Sequence, residues 1–444
     1  MGLALDLAYL AVCVVLSPWI LYRFVAGPSR RELAMRFGLG LGEPLAASIW
    51  LHGSSAGEVS LLKPLVALLE RDHPEIPLVI TGFTSTGLAA ARKLYGRHRV
   101  LPLPFDLSFV VRRFLRRLDP RLVIIVESEL WPNLIRGARR HGARVVVVNG
   151  KMSAKSFGTH ARLGVMRRVL PHIDLLAVQT AEHAERLVSL GAPADRVRVT
   201  GNMKYDLTRG AEPGDAGSAR RELRRELGYA EDDVVIIGGS LHEREDEALL
   251  DAFARARAAT ERAALIVVPR YPKESADVER HARERGFDTV LKSALAGGPR
   301  PPPGRASVLI VDTVGELGRL YGAADLAFVG GSLFFRGANK GGHNLMEPAI
   351  LAVPVLFGPY NFSFKETVED LLAADAGLLV RDERELAARV AELAVDEARR
   401  RDLGAAAQRV VRAGQGATAR NYELLREWLY VQRPGQRPLA RAAL

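Results

Sequence analysis

Cysteine is nearly missing: Cys13 is the only one in 444 residues. That leaves no disulfide framework and no thiolate metal cluster, and it suits a reducing compartment. Acid is the scarcer charge, with 51 Asp and Glu against 62 Lys and Arg and a net charge of +11. The excess is mainly arginine, often in pairs such as Arg112-Arg113, Arg116-Arg117, Arg139-Arg140, Arg220-Arg221 and Arg224-Arg225, and it points to an anionic partner. Zinc-finger spacing, RNP-type aromatic motifs and basic-region heptads do not occur, so no nucleic acid is expected, and anionic lipid or a phosphorylated substrate takes its place. A Walker A loop, HExxH and a G-x-G-x-x-G between strand and helix are absent too. No D-x-D occurs either. A sugar-nucleotide enzyme without that metal-bridging pair has to hold its leaving phosphate with helix amino ends and cationic side chains.

One long apolar run is present, residues 7–22, followed by Arg23, Arg30, Arg31 and Arg36. No basic residue precedes it and no A-x-A site follows, so it reads as an uncleaved membrane anchor over 1–28. It falls slightly short of the roughly 20 residues that span a bilayer comfortably, and Ser17-Pro18 interrupts it, so shallow insertion is an alternative to a span. The flanking arginines place the bulk of the protein on the cytoplasmic side.

Beyond the anchor, Val/Ile-rich runs alternate with amphipathic ones: ASIWLH, a helix over 58–72, PLVITG, a helix over 86–95, RLVIIVE, a helix near 131–141, RVVVVNG and IDLLAVQ. Continuous apolar strands between helices predict a parallel sheet covered on both faces. The stretch 209–218, RGAEPGDAGS, lacks periodicity and reads as a linker. A second alternation follows, with DVVIIGGS, AALIVVPR, SVLIVD, ADLAFVGGS and VPVLFG as strands and helices over 243–259, 272–285, near 344–352 and over 385–396. The expected organisation is an anchor over 1–28, a Rossmann-like domain over 29–208, a second over 219–416, and a terminal helix and tail over 417–444 that includes Trp428 and Tyr430.

Three clusters carry chemistry. Glu58 follows a strand and the small residues Gly53 to Gly57. Ser55-Ala56-Gly57-Glu58 fits a capping box, which alone accounts for the glutamate; a substrate pressed against backbone accounts for the run of small residues, and a helix amino end keeps a carboxylate ionised. In VIIVESELWPNL a buried strand runs into Glu127 and Glu129, which as strand residues two apart share a face; a solvated strand end with Pro132 starting the next helix accounts for the pattern equally well. The third, GGSLFFRGANKGGHNLMEP, puts Gly341, Gly342, His343 and Asn344 at an expected helix mouth, where amides suit a phosphate, with Glu347 about one turn in, placed for a ribose diol. Lesser candidates are Ser240, His242 and Glu245 after one strand, Arg270 after another, where its planar fork could clamp a phosphate oxygen, and Lys151 and Lys204 as anion contacts.

In order, H-x-x-S-x-G-E, V-E-S-E-L-W-P-N, N-x-K-x-D, V-P-R, D-T-x-G-E-L, F-V-G-G-S, G-G-H-N-x-x-E-P and G-P-x-x-F-x-F-K resemble the 3-deoxy-D-manno-octulosonic acid (Kdo) transferases of Gram-negative bacteria, over roughly residues 30 to 430. The resemblance implies an α/β fold of the GT-B type, two Rossmann-like domains with the site in the cleft. It implies an inverting, metal-independent glycosyltransferase that needs no cofactor, moves Kdo from CMP-Kdo to a lipid A precursor, and works at the cytoplasmic face of the inner membrane against its anionic lipids. Glu58 falls on that family's general base and Glu127 on its essential strand-end glutamate. Arg270, Gly341, Gly342, His343, Asn344 and Glu347 fall on donor-site motifs, with Ser240 and His242 beside them. The loop between Gly331 and Gly341 is longer than the family's, and His242-Glu243-Arg244-Glu245 stands where H-x-G-E is common. Two rival readings are a GT-B transferase with a UDP- or ADP-sugar donor and a noncatalytic anionic-lipid-binding membrane protein.

Overall fold

The computed structural model describes residues 30–208, 216–297, 307–337 and 340–429. The expected anchor, Tyr430 and most of the expected linker lie outside the described residues. The chain divides into two compact units, the first ending at Leu207 and resuming at Gln415, the second running from Thr208 to Gly414. The helix Ala216–Leu227 begins inside the stretch read as linker.

Unit 1 holds a seven-stranded sheet: β1 (Ser48–His52), β2 (Leu78–Gly82), β3 (Arg99–Pro102), β4 (Pro120–Val126), β5 (Arg144–Gly150), β6 (Leu175–Val178) and β7 (Val197–Val199), in the order β3-β2-β1-β4-β5-β6-β7. Every pairing is parallel. Every residue of β1, β2 and β4 is buried, as helices on both faces require. Alternate residues feed two cores. Trp50, paired with Val79 and Val123, stacks on Phe114 of the helix Ser108–Leu118 at 5.9 Å and joins Leu134 of the helix Pro132–His141. Ile49 and Leu51 turn to the opposite face, against Val59 and Leu62 of the helix Ala56–Asp72 and Tyr422, Leu425 and Leu429 of the helix Ala417–Leu429. That terminal helix is fastened by polar contacts as well. Tyr422 Oη donates to Asp72 Oδ2 at 2.7 Å, and Arg121 Nη1 donates to the Leu429 carbonyl at 2.6 Å. Trp428 is half-buried against the same core.

Unit 2 repeats the architecture with β8 (Val234–Leu241), β9 (Ala263–Pro269), β10 (Asp288–Leu291), β11 (Ser307–Ile310), β12 (Leu326–Val329), β13 (Val355–Phe357) and β14 (Leu378–Leu379), in the order β10-β11-β9-β8-β12-β13-β14. Its pairings are parallel too. In each sheet the chain fills one side of its first strand and then crosses to that strand's other side, with β11 of unit 2 inserted between β9 and the edge strand β10. The crossings fall between β1 and β4 and between β8 and β12. Ligands of open α/β sheets bind outside the strand carboxyl ends at such points, and the residues that follow these four strands are those that stood out in the sequence.

Candidate functional site

At the unit 1 switch point β1 ends in His52, and Gly53 to Ser55 turn the chain into a helix capped by Ser55, whose Oγ accepts from the Glu58 N–H at 3.3 Å. The Glu58 carboxylate reaches back, accepting from the Ser54 N–H at 2.8 Å (Oε2) and from the Ser55 hydroxyl at 3.0 Å (Oε1). The capping role is therefore real, but it leaves a carboxylate, with four lone-pair positions, able to accept more. Gly53 is explained by packing: a Cβ there would lie 2.8 Å from the Val59 nitrogen. Gly57 has no such neighbour, since its Cβ would meet only Ser55 Oγ at 3.9 Å, so beside Glu58 there is room.

Burial, and then the nearby charges of Glu127 and Glu129, raise the Glu58 pKa above its ordinary 4.5, against the two hydrogen bonds that lower it. This reverses the expectation of a carboxylate kept ionised by the helix amino end: burial and like charge favour the protonated form, and a raised pKa makes a stronger base. Glu129 is raised by the same causes, burial first, while bonds from Trp131 and the Ser54 hydroxyl oppose them. Trp131 Nε1 donates to Glu129 Oε2 at 2.9 Å.

Glu127 and Glu129 do not share a strand face, because β4 ends at Val126. Glu127 is instead left-handed, with φ 61°, and only 8% exposed. A non-glycine residue there is strained by about 1 kcal/mol or more. Its carboxylate is held by Lys151 Nζ at 2.5 Å, so Lys151 is a partner of the carboxylate cluster rather than an anion contact. Beneath the turn His52 is fully buried, with Nδ1 3.0 Å from Thr81 Oγ1 and its pKa lowered to about 4, chiefly by burial.

The unit 2 switch point is built differently. Ser240 is left-handed, φ 57°, at a register shift between Gly239 and Leu241, and this kink ends β8 just before His242. The His242 ring stacks on His343, centroids 5.2 Å apart and planes 13° apart, with the two Nε2 atoms at 2.9 Å. Such a contact needs one N–H facing one bare nitrogen, so the rings cannot both be protonated. Burial first, then Arg336 and Arg270, hold His242 at about 4; burial, then His242, Arg270 and Arg336, hold His343 at about 4. Two neutral imidazoles thus lie in the field of two exposed guanidiniums. Glu245, almost wholly buried, accepts from the backbone N–H groups of His242, Gly331, Ser332 and Leu333 at 2.6–3.0 Å. It is the tie that holds the post-β12 loop against β8.

Gly341 and Gly342 have φ 134° and 80°, and their missing Cβ atoms admit the Tyr360 carbonyl and Asn361 Oδ1. The expected helix mouth is corrected here. The helix is only Met346–Ile350: the Gly341-Gly342 loop before it is shaped by Tyr360 and Asn361 and Ala352 after it turns left-handed, φ 59°, so Gly341 to Asn344 are loop and Glu347 lies in the helix's first turn. Asn344 Nδ2 donates to Glu347 Oε1 at 3.1 Å, and burial raises the Glu347 pKa. The structure thus gathers Ser240, His242, His343 and Arg270 around the switch point and makes a separate pair of Asn344 and Glu347. Sequence reasoning missed Arg336, a single arginine in a long loop whose only signal was its length. Among the described residues no group of three or more His, Cys, Asp or Glu gathers as metal ligands.

Two Rossmann-like sheets, each with polar residues at its switch point, define a two-unit, doubly wound α/β protein. The same fold is seen in UDP-GlcNAc 2-epimerase from Neisseria meningitidis bound to UDP-GlcNAc, 13% identical, TM-score 0.55, covering 86% of this chain and 100% of that one. The chain belongs to the 3-deoxy-D-manno-octulosonic acid transferase family. The family model of that transferase matches residues 31–207. The transferase of Bordetella pertussis is 34% identical over 96% of this chain and 98% of its own length, and that of Haemophilus influenzae is 31% identical over 90% and 92%.

Proposed function

We propose that the protein is an inverting glycosyltransferase that moves Kdo from CMP-Kdo to a lipid A precursor in lipopolysaccharide biosynthesis, without a metal, at the cytoplasmic face of the inner membrane. Glu58 is the general base. Its raised pKa, produced by burial and by Glu127 and Glu129, is the observation that carries the reading, because a base works best when its pKa approaches the operating pH. The acceptor hydroxyl loses its proton to Glu58 as its oxygen bonds to the Kdo anomeric carbon, and the bond from that carbon to the CMP phosphate oxygen breaks. Glu127, anchored by Lys151, keeps negative charge beside the base. Arg270 and Arg336 take up the charge growing on the departing phosphate. The neutral histidine pair, with one N–H spent between the rings, offers it the one ring N–H that remains, and Gly341 to Asn344 with Glu347 receive the nucleoside.

The apolar run at 7–22 supports a membrane anchor. No helix of the described residues is long and apolar enough to cross a membrane, and the run itself lies outside them. The experiment is direct: incubate full-length protein with CMP-Kdo and tetraacylated lipid A precursor and count added sugars by mass spectrometry. Mass additions that appear with wild type and vanish with Glu58→Gln support the reading; addition from UDP- or ADP-sugars but not CMP-Kdo overturns the donor assignment.

A further inference from the structure

Away from the carboxylates, unit 1 has a groove of about 340 Å³ between the helices Ser108–Leu118 and Pro132–His141. Arg112 and Arg116, four residues apart, line it from one helix, and Arg136 and Arg140, also four apart, from the other, so each pair forms a stripe on one helix face. Gly137 lets the helices meet beneath: a Cβ there would lie 2.9 Å from Val111 Cγ1 and 3.2 Å from Leu115 Cδ1.

None of the four guanidiniums has a carboxylate partner among the described residues. Elsewhere in this unit Arg36, Arg97, Arg139, Arg144 and Arg186 each have one. Asp119, at the His141 end of the groove, is already bonded to His141 Nε2 and the Ala47 N–H. The positive field is felt nearby, since after burial it is Arg136, Arg139 and Arg140 that lower the pKa of His172. Four like charges around one groove repel each other, and an anion relieves that repulsion. A guanidinium fork fits phosphate oxygens in particular.

We propose that this groove recognises the phosphate groups of lipid headgroups at a membrane surface, apart from the Glu58 site; the assignment rests on the membrane-surface reading above. Two exposed apolar side chains favour lipid over a soluble polyanion. Phe109, 51% exposed, precedes Arg112 by three residues on the same helix, and Leu39, 52% exposed, follows the segment whose Phe37 carbonyl accepts from Arg113 Nη1. Exposed apolar groups among arginines are the signature of an interfacial face.

The test is sedimentation of full-length protein with phosphatidylcholine vesicles, with and without a minor share of phosphatidate. Phosphatidate should raise binding. The variant Arg112→Gln/Arg116→Gln/Arg136→Gln/Arg140→Gln should lose that increment, by about fivefold per arginine and roughly 600-fold for all four, while keeping its binding to pure phosphatidylcholine. A control with Arg255, Arg384, Arg399 and Arg409 of unit 2, all exposed, changed to Gln should retain the increment. If the groove variant keeps the increment, or the control loses it equally, the proposal is overturned. Release of wild-type protein from the vesicles by inorganic pyrophosphate at matched ionic strength would overturn the lipid assignment in favour of free phosphate. Single variants at Arg116 and Arg140 serve if the fourfold variant fails to fold. The outcome is separable from the proposed transfer: Glu58→Gln keeps vesicle binding, and the groove variant keeps transfer to a detergent-dispersed acceptor.

Discussion

The two switch points occupy equivalent places in two sheets of similar design, yet their chemistry is opposite. Unit 1 presents three carboxylates, Glu58, Glu127 and Glu129, with one ammonium, Lys151, holding the most buried of them. Unit 2 presents two neutral imidazoles and two guanidiniums, and its buried switch-point carboxylate, Glu245, is spent on four backbone amides. The fold supplies a position and nothing more. Which charge that position presents is set by whether its carboxylates keep lone pairs for a further partner or spend them on backbone amides.

The contrast can be broken most severely at Glu58. Glutamine keeps the bond from the Ser54 N–H, because its carbonyl accepts as the carboxylate does, and its amide can donate to Ser55 Oγ where the carboxylate accepted from it, but it cannot act as a base. Glu58→Gln is therefore expected to lower kcat by about 10²-fold or more while the thermal midpoint holds steady, as checked by kinetics beside calorimetry. Glu245→Ala attacks the other half. It strands four buried amide donors and should cost unit 2 on the order of 3 kcal/mol, read by urea unfolding, with CMP binding lost in proportion.

The two sites should also separate by pH. Glu58 titrates above 4.5 in the folded protein, so kcat/KM should fall as pH drops through that raised value and the ionised base disappears. His242 and His343 shift the other way, from 6.5 to about 4. The unfolded chain takes up their protons below about 6.5 and the folded protein does not, so stability is complete above that pH and is lost as pH falls toward 4. Unfolding midpoints across this window should show the slope, and His343→Asn should flatten it.

Smaller effects sharpen the picture. Lys151→Met leaves the nearly buried Glu127 without its cation and should slow transfer by about tenfold, the order expected for removing one partner of a partly buried pair. Gly57→Ala meets only Ser55 Oγ at 3.9 Å and should leave stability unchanged or raise it by up to about 1 kcal/mol while raising KM for an acceptor that lies in the space beside Glu58.

Much of this was legible in the chain. Buried strands such as VIIV and VVVV announce a parallel sheet because both faces must be apolar. Glu58 stood out because a strand, a run of small residues and a helix follow one another within one short segment. The errors came where irregular backbone decides. Periodicity carried β4 through Glu127, but the chain turns left-handed at that residue, and no local pattern signals a strained φ. The helix over 344–352 shrank to five residues because the Gly341-Gly342 loop is shaped by Tyr360 and Asn361, which arrive from later in the chain.

By itself, then, the sequence determined the alternation of strand and helix, the membership of the family and the candidates Glu58, His242 and His343, since these depend on residue type and short spacing. Only the tertiary structure decided that Glu127 is tied to Lys151, that two histidines 101 positions apart share a contact, that Glu245 is structural, and that four arginines from two helices line one groove. Each of those outcomes depends on which strand ends and helices become neighbours, and electrostatic work is done between neighbours in space.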